Sequence, residues 1–188
     1  MGRASRADAA RHREQVVTAT AKLIRDRGSA GVSVQDVMSA ANLTHGGFYK
    51  HFASKEDLLG VAATAAFAEL LAWLGQVAKD FPDHARTRLI RTYLSTEHRD
   101  NPGAGCAITA LAGDAARAPA ASPLRESYAA GVEAVLARVA ELGHEAYDRA
   151  IIDYATMAGA LTLARATAQS PLSDHILQII EQALTAQR

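Results

Sequence analysis

Between Ser33 and Lys55 the chain places hydroxyls, cations and an aromatic side chain at the starts of short helices, an arrangement that can hold an anion. Ser33-Val34-Gln35-Asp36 is a capping box, with Ser33 at N-cap and Asp36 at N3. Thr44 can cap the next short element. A hydroxyl in such a place both closes a helix end and can donate to a phosphate oxygen. Lys55 follows Ser54 at the first position of a longer helix, where a cation opposes the macrodipole. A phosphate facing that end would turn the penalty into a shared contact. Gly46 and Gly47 cost about 1 kcal/mol each relative to alanine inside a helix, and close approach of backbone to a ligand is what their missing side chains allow. Phe48 and Phe52, at i and i+4, form a core pair and leave Tyr49 to point outward with His45 on its side. Taken singly, each residue also has an ordinary structural role: Ser33 and Thr44 as caps, the phenylalanines as core, Lys55 as a solvated cation.

The elements that must position these groups follow from periodicity and punctuation. Val16, Val17, Ala21, Leu23 and Ile24 mark a helix over 9–27, which Gly28 closes in a left-handed conformation. Val34, Val37, Met38 and Ala41 recur at helical spacing, Asn42-Leu43 makes a tight turn, and a third short helix runs over 44–51. Ser54-Lys55-Glu56-Asp57 is a second capping box, opening a helix to about residue 78. Further helices are predicted over 84–99, 106–117, 124–142, 145–169 and 172–186, separated by Asn101-Pro102-Gly103, Pro119, Gly143 and Ser170-Pro171. The fold class is therefore all-α, with about nine helices and no strand. Two short helices joined by a tight turn form a helix-turn-helix, whose second helix enters the DNA major groove.

Charge supports a division of labour. Lys plus Arg number 20 and Asp plus Glu 20, so the formal charge is zero. Up to Lys55, however, nine basic residues face four acidic ones, and the balance reverses beyond it. A basic head on an acidic body suits an anionic partner at one end only. Forty-two alanines against ten valines and ten aromatics favour helix over sheet. A single cysteine excludes a disulfide framework and a multi-cysteine zinc site within one chain; no metal or cofactor is expected. The longest stretch without Asp, Glu, Lys or Arg is 13 residues, too short for a bilayer, and Met1-Gly2-Arg3 opens no apolar h-region. A cytoplasmic protein is expected.

The stretch from Ser33 through Leu59, and above all Gly46-Gly47-Phe48-Tyr49-Lys50-His51-Phe52-Ala53-Ser54-Lys55, resembles the signature of the TetR family of bacterial transcriptional regulators. The resemblance covers the first third of the chain. It implies a three-helix DNA-binding head over 1–55 and an effector-binding, dimerising helical body over 56–188. It further implies phosphate contacts at Ser33, Thr44, Tyr49, His51 and Lys55. Base-edge contacts are implied at His45 and Gly46, with Gln35 and Lys50 beside them. Many relatives carry a hydroxyl or a longer polar residue at the position of Gly47, so readout here is expected to lean on DNA shape. The arm with Arg3, Arg6, Arg11 and Arg13 would add backbone or minor-groove contacts, or remain solvated.

For the body, the resemblance implies a four-helix interface made by the last two helices of two copies. Ala158, Leu161, Thr162 and Arg165, with Leu172, Ile176, Ile179, Ile180 and Ala183, supply the candidate stripes; Ala155, Gly159 and Ala166 allow close approach. Two-fold symmetry then calls for a pseudo-palindromic operator in double-stranded DNA. A small-molecule effector would sit among Phe67, Leu70, Trp73, Tyr93, His98, Cys106, Tyr128, Tyr154 and Met157, residues that also suit an ordinary bundle core. Cys106, at a helix start near His98 and Arg99, offers an alternative as an electrophile or oxidant sensor. No nucleophilic triad, phosphate loop or zinc-peptidase pattern stands out, so an enzyme is not expected. A carrier of apolar molecules is the rival from another class; it would have no use for the N-terminal motif.

Overall fold

The computed structural model describes residues 2–186, with the side chains of residues 2–5 and of His45 outside the description. Nine α-helices and two 3₁₀ helices are present among the described residues, and no strand. The head comprises α1 (Gly2–Arg27), α2 (Val34–Ala40) and a 3₁₀ helix (His45–Lys50). Gly28 closes α1 at φ +73°, the left-handed conformation that the absence of a Cβ permits. Asn42, at φ 56°, turns the chain after α2. Val16, Ile24, Val37, Met38, Phe48 and Phe52 are buried together between these elements.

The body begins with α3 (Lys55–Asp80) and continues through α4 (Ala85–Tyr93), α5 (Thr96–Asp100), a 3₁₀ turn (Pro102–Ala104), α6 (Ala107–Arg117), α7 (Pro123–Gly143), α8 (Tyr147–Ala166) and α9 (Pro171–Ala186). By length and hydropathy α3 could cross a membrane. It is instead the spine of the molecule, with Leu58, Ala62, Ala66, Phe67 and Leu74 buried in contacts with α1 and α7. Two glycines let α7 lie close: Gly60 faces Pro123, and Gly131 faces the Phe67 ring. A Cβ at either position would overlap its neighbour.

Several expectations change in detail. The third short helix is a 3₁₀ helix, because a segment opening His45-Gly46-Gly47 has little α propensity to spend on a regular turn. Thr44 makes no side-chain capping bond there. The helix expected over 84–99 is two, since Ser95 leaves α4 to cap α5, its hydroxyl accepting from the His98 amide at 3.1 Å. The arm is helical from Gly2 onward, with Arg11 paired to Asp8 at 2.9 Å and Arg13 stacked 5.1 Å from the Phe52 ring centroid. Arg3 falls outside the described side chains. The last turn of α7 ends with His144, not Gly143, in the left-handed conformation.

Head and body are tied at the C-terminal end of α1. The Ser29 amide donates to Asp114 of α6 at 2.6 Å. Arg25 Nε donates to the Gly103 carbonyl at 2.9 Å, and Nη1 pairs with Glu69 of α3 at 2.7 Å. At the far end, Arg86 of α4 pairs with Asp153 of α8, reaches Glu145 at 3.3 Å and donates to the Leu184 carbonyl of α9 at 3.0 Å.

Candidate nucleic-acid interface and the cavity behind it

Ser33 forms the full capping box: its Oγ accepts from the Asp36 amide at 3.1 Å, while Asp36 Oδ2 accepts from the Ser33 amide at 2.8 Å and the Ser33 hydroxyl at 2.6 Å. These bonds to Ser33 hold the Asp36 carboxyl below its ordinary range, with Arg27 and Lys55 adding to the effect. The hydroxyl of Ser33 is thus engaged in the cap, and donation to a phosphate would require it to swing away from Asp36. Ser54 caps α3 by accepting from the Asp57 amide at 3.1 Å, but Asp57 reaches back to the Ala53 amide at 3.1 Å, one residue earlier than a standard box.

The outward face is polar and unoccupied by intramolecular bonds. The side chains of Gln35, Thr44, Lys50 and Lys55 have no hydrogen bond or ion pair with any described residue, and all but the half-buried Lys55 are exposed. Tyr49 is 71% exposed, with its ring edge-on to Phe48 at 5.1 Å and its hydroxyl unengaged. His51 is half-buried against Phe52. The His45 side chain lies outside the described residues. Behind this face, Phe48 and Phe52 pack at 5.6 Å in the core. A Cβ on Gly46 would meet nothing within 4 Å, and one on Gly47 would make only ordinary contact with Met38. Neither glycine has a positive φ. Nothing inside the molecule requires them, so the space they leave is available to something outside it.

Behind the head, a half-open cavity of about 460 Å³ lies among α1, α3, α4 and α5, within the usual size range for small-molecule sites. Of the candidates in the sequence, Leu70, Trp73, Tyr93, His98 and Cys106 line it together. Phe67 and Tyr128 do not: their rings meet at 5.7 Å in the packing of α3 on α7, and the Tyr128 hydroxyl donates to the Ile108 carbonyl. Partial burial pushes that phenol up to about 12. Tyr154 and Met157 are core residues one layer deeper. Arg25, Glu69 and Arg88 join the lining. Sequence reasoning missed them because contributions from three separate helices share no local pattern.

One wall is a hydrogen-bonded cluster. His98 Nδ1 donates to the Tyr93 carbonyl at 2.7 Å, which leaves Nε2 to accept the Cys106 amide at 3.0 Å. That pairing needs the neutral ring, and burial lowers the His98 pKa in the same sense, with Arg165 contributing. Cys106 Sγ lies 3.1 Å from the Tyr154 hydroxyl, and the Tyr93 hydroxyl 2.6 Å from Thr109. Burial drives both phenols well above their ordinary range. Cys106 does start α6, yet it is buried, and Arg99 turns away from it to Asp100 and Asp174. Arg165 donates to the carbonyls of His98 and Arg99, closing the C-terminal end of α5. It is therefore an intramolecular tie and does not belong to an outer face.

Leu161 is likewise buried. The exposed stripe of α8 runs instead through Ile152, Ala155, Gly159, Thr162, Leu163 and Ala166, with Ala158 at its half-buried edge. On α9, Leu172, Ile179 and Ala183 are exposed and Ile176 and Ile180 half-buried. Ile152 and Leu163 were missed because periodicity marks a stripe without saying which of two apolar faces turns inward.

Helix α2, the turn at Asn42 and the 3₁₀ helix have the order of a helix-turn-helix and present a polar outward face, the arrangement that such motifs turn toward DNA. Residues 16–62 match the family model described as bacterial regulatory proteins, tetR family. The HTH-type transcriptional repressor DhaR of Mycobacterium sp. (strain GP1) is 29% identical over 96 residues, covering 51% of this chain and 48% of that protein. The match thus spans about half the length of this curated relative. Among solved structures, the reduced form of NemR from E. coli superposes with a TM-score of 0.76 at 20% identity, covering 93% of this chain and 95% of that one. A TetR-family regulator from Cytophaga hutchinsonii gives 0.76 at 20%, covering 95% and 96%. The family match thus covers the helix-turn-helix and the start of α3, and over the rest of the chain the likeness to these solved structures is one of fold.

Proposed function

We propose that this chain is a cytoplasmic bacterial repressor that binds a pseudo-palindromic operator as a homodimer and leaves it when a small molecule fills the cavity behind the head. Residues 1–55 act as the DNA-binding unit and 56–188 as the sensing and dimerising unit. The observation that carries this reading is the face from Gln35 to Lys55. The side chains of Gln35, Thr44, Tyr49, Lys50 and Lys55 have no hydrogen bond or ion pair among the described residues, and a Cβ on either glycine would meet no close neighbour. In this reading Tyr49, Thr44, His51 and Lys55 hold phosphates, Ser33 joins them by releasing Asp36, and His45, Gly46, Gln35 and Lys50 approach base edges. DhaR's description as a repressor supports the sign of the regulation. The apolar stripes of α8 and α9 support pairing with a second copy.

Selection of bound sequences from random DNA tests the reading, followed by a screen for small molecules that release the selected site. A symmetric site whose affinity falls steeply with salt is expected. A carrier of apolar molecules would yield no enriched sequence, and its ligand affinity would be insensitive to salt.

A second reading rests on Cys106, whose residue lines the cavity: covalent capture of an electrophile would replace reversible binding. The burial of Cys106 beside Tyr154 favours the reversible reading. A Cys106→Ser protein is accordingly expected to keep DNA binding and release; loss of release with the serine variant would favour the thiol.

A further inference from the structure

Arg25 belongs to α1, the helix that carries the head, yet it lines the cavity of the body. Its side chain is only 8% exposed. Of the five N–H donors of the guanidinium, Nε serves Gly103 and Nη1 faces Glu69, while Nη2 has no acceptor among the described residues. A buried guanidinium with open donors is a costly arrangement unless something completes it. Its acidic partner is the exchangeable half of the pair, since the Glu69 side chain is 49% exposed.

The rest of the lining leans the same way. Arg88 also lines the cavity; its guanidinium stacks 5.1 Å from the Phe81 ring centroid and has no hydrogen bond or ion pair among the described residues. The Trp73 indole N–H and the Thr92 hydroxyl have no acceptor among the described residues. Glu97 is the one lining carboxylate besides Glu69, and it is exposed at the rim. Donors therefore outnumber acceptors, and Ala66, Leu70 and the Trp73 ring supply an apolar floor.

We propose that the cavity takes an apolar molecule bearing one anionic end, and that Arg25 is the residue that reads it. The anion docks on the Nη1–Nη2 edge of the guanidinium, where a carboxylate is held by two parallel bonds. Glu69 occupies part of that edge, so the ligand competes with it. Filling the cavity thereby loosens an ion pair that joins the head helix to α3. This inference rests on the effector reading above and names the chemistry of its ligand.

Trp73 is the single tryptophan of the chain and lines this cavity, so its fluorescence reports the site directly. Octanoate, 1-octanol and octylamine share a tail and differ in head charge; each is titrated into the full-length protein. Octanoate is expected to bind about tenfold or more tighter than the other two, the worth of a charge-assisted hydrogen bond. Arg25→Gln should abolish that preference and leave 1-octanol affinity unchanged. Glu69→Gln removes the competitor at a half-exposed position that folding tolerates, and should tighten octanoate about threefold or more without altering 1-octanol. Equal binding of the three probes, preference for octylamine, no response of Trp73 to any of them, or unchanged octanoate affinity in Glu69→Gln would overturn the proposal. DNA affinity is read separately by anisotropy on the selected operator. Its absence would overturn the repressor reading while the Trp73 titration still decides the ligand class.

Discussion

Lys55 and Tyr49 separate contribution to binding from contribution to folding. Neither side chain forms a hydrogen bond or ion pair within the described chain, so replacing Lys55 by Ala, or Tyr49 by Phe, should leave the melting temperature within about a degree. Specific DNA affinity should fall for both. For Lys55→Ala the slope of log affinity against log salt should also shrink by about one, the signature of one lost phosphate contact. An unchanged slope would remove Lys55 from the interface. Ser33 behaves differently, because its hydroxyl already closes α2. Ser33→Ala should cost about 1 kcal/mol of stability in denaturant unfolding, together with any loss of DNA affinity. A residue's chemical type suggests its role, but whether that role is free to serve a ligand depends on what the fold has already asked of it.

The 3₁₀ helix His45–Lys50 is the element on which this reading turns. With open space at Gly46 and no positive φ there, Gly46→Ala should fold as well as the parent or up to about 1 kcal/mol better, since alanine is the better helix former. Its DNA affinity should nevertheless drop, because in the proposed complex the added methyl would stand between the backbone and DNA. Gel shift and urea unfolding on the same preparation would show the opposite signs; a stable variant with full affinity would mean that the glycines leave room for nothing. Helices were legible where the signal was local. Ser33 with Asp36, Gly28 after Arg27, and Phe48 with Phe52 each act within one turn, so spacing alone disclosed them. The break between Tyr93 and Thr96 was hidden because Leu89, Ile90, Tyr93 and Leu94 keep helical spacing up to it, while the Ser95 cap overrides that pattern. The roles of Arg25 and Arg165 were out of reach, since their partners at Gly103 and His98 lie 78 and 67 residues away. The cavity was half legible for the same reason: the right large residues could be named, but which helix faces would meet was set by glycines such as Gly131, whose neighbour Phe67 comes from another element.

At the scale of the whole molecule, two properties follow from how the body is assembled. His98 must be neutral to accept the Cys106 amide, and its folded pKa lies below the ordinary 6.5. The unfolded chain therefore takes up a proton, as pH falls through about 6.5, that the folded chain refuses. Stability should hold from pH 8 to 7 and decline below about 6.5, by at most about 1.4 kcal/mol per pH unit from this group. His98→Asn should flatten that part of the profile of unfolding midpoint against pH; an identical profile would show that His98 does not set it. The second property is association. Ile152 and Leu163, 59% and 58% exposed, stand three turns apart on α8, with Ala155 and Gly159 between them leaving room for a facing helix. Leu163→Glu puts a charge near the C-terminal end of that stripe without touching the core, so the variant should fold and should sediment as a monomer at micromolar concentration, where the parent is expected to sediment as a dimer. Half a palindrome would then be all it can hold. Its affinity for the full operator should collapse to that for a half-site, because the second recognition element, one DNA turn away, is no longer attached to the first. A monomeric parent, or a variant that still dimerises, would move the interface off α8 and take the two-fold operator with it.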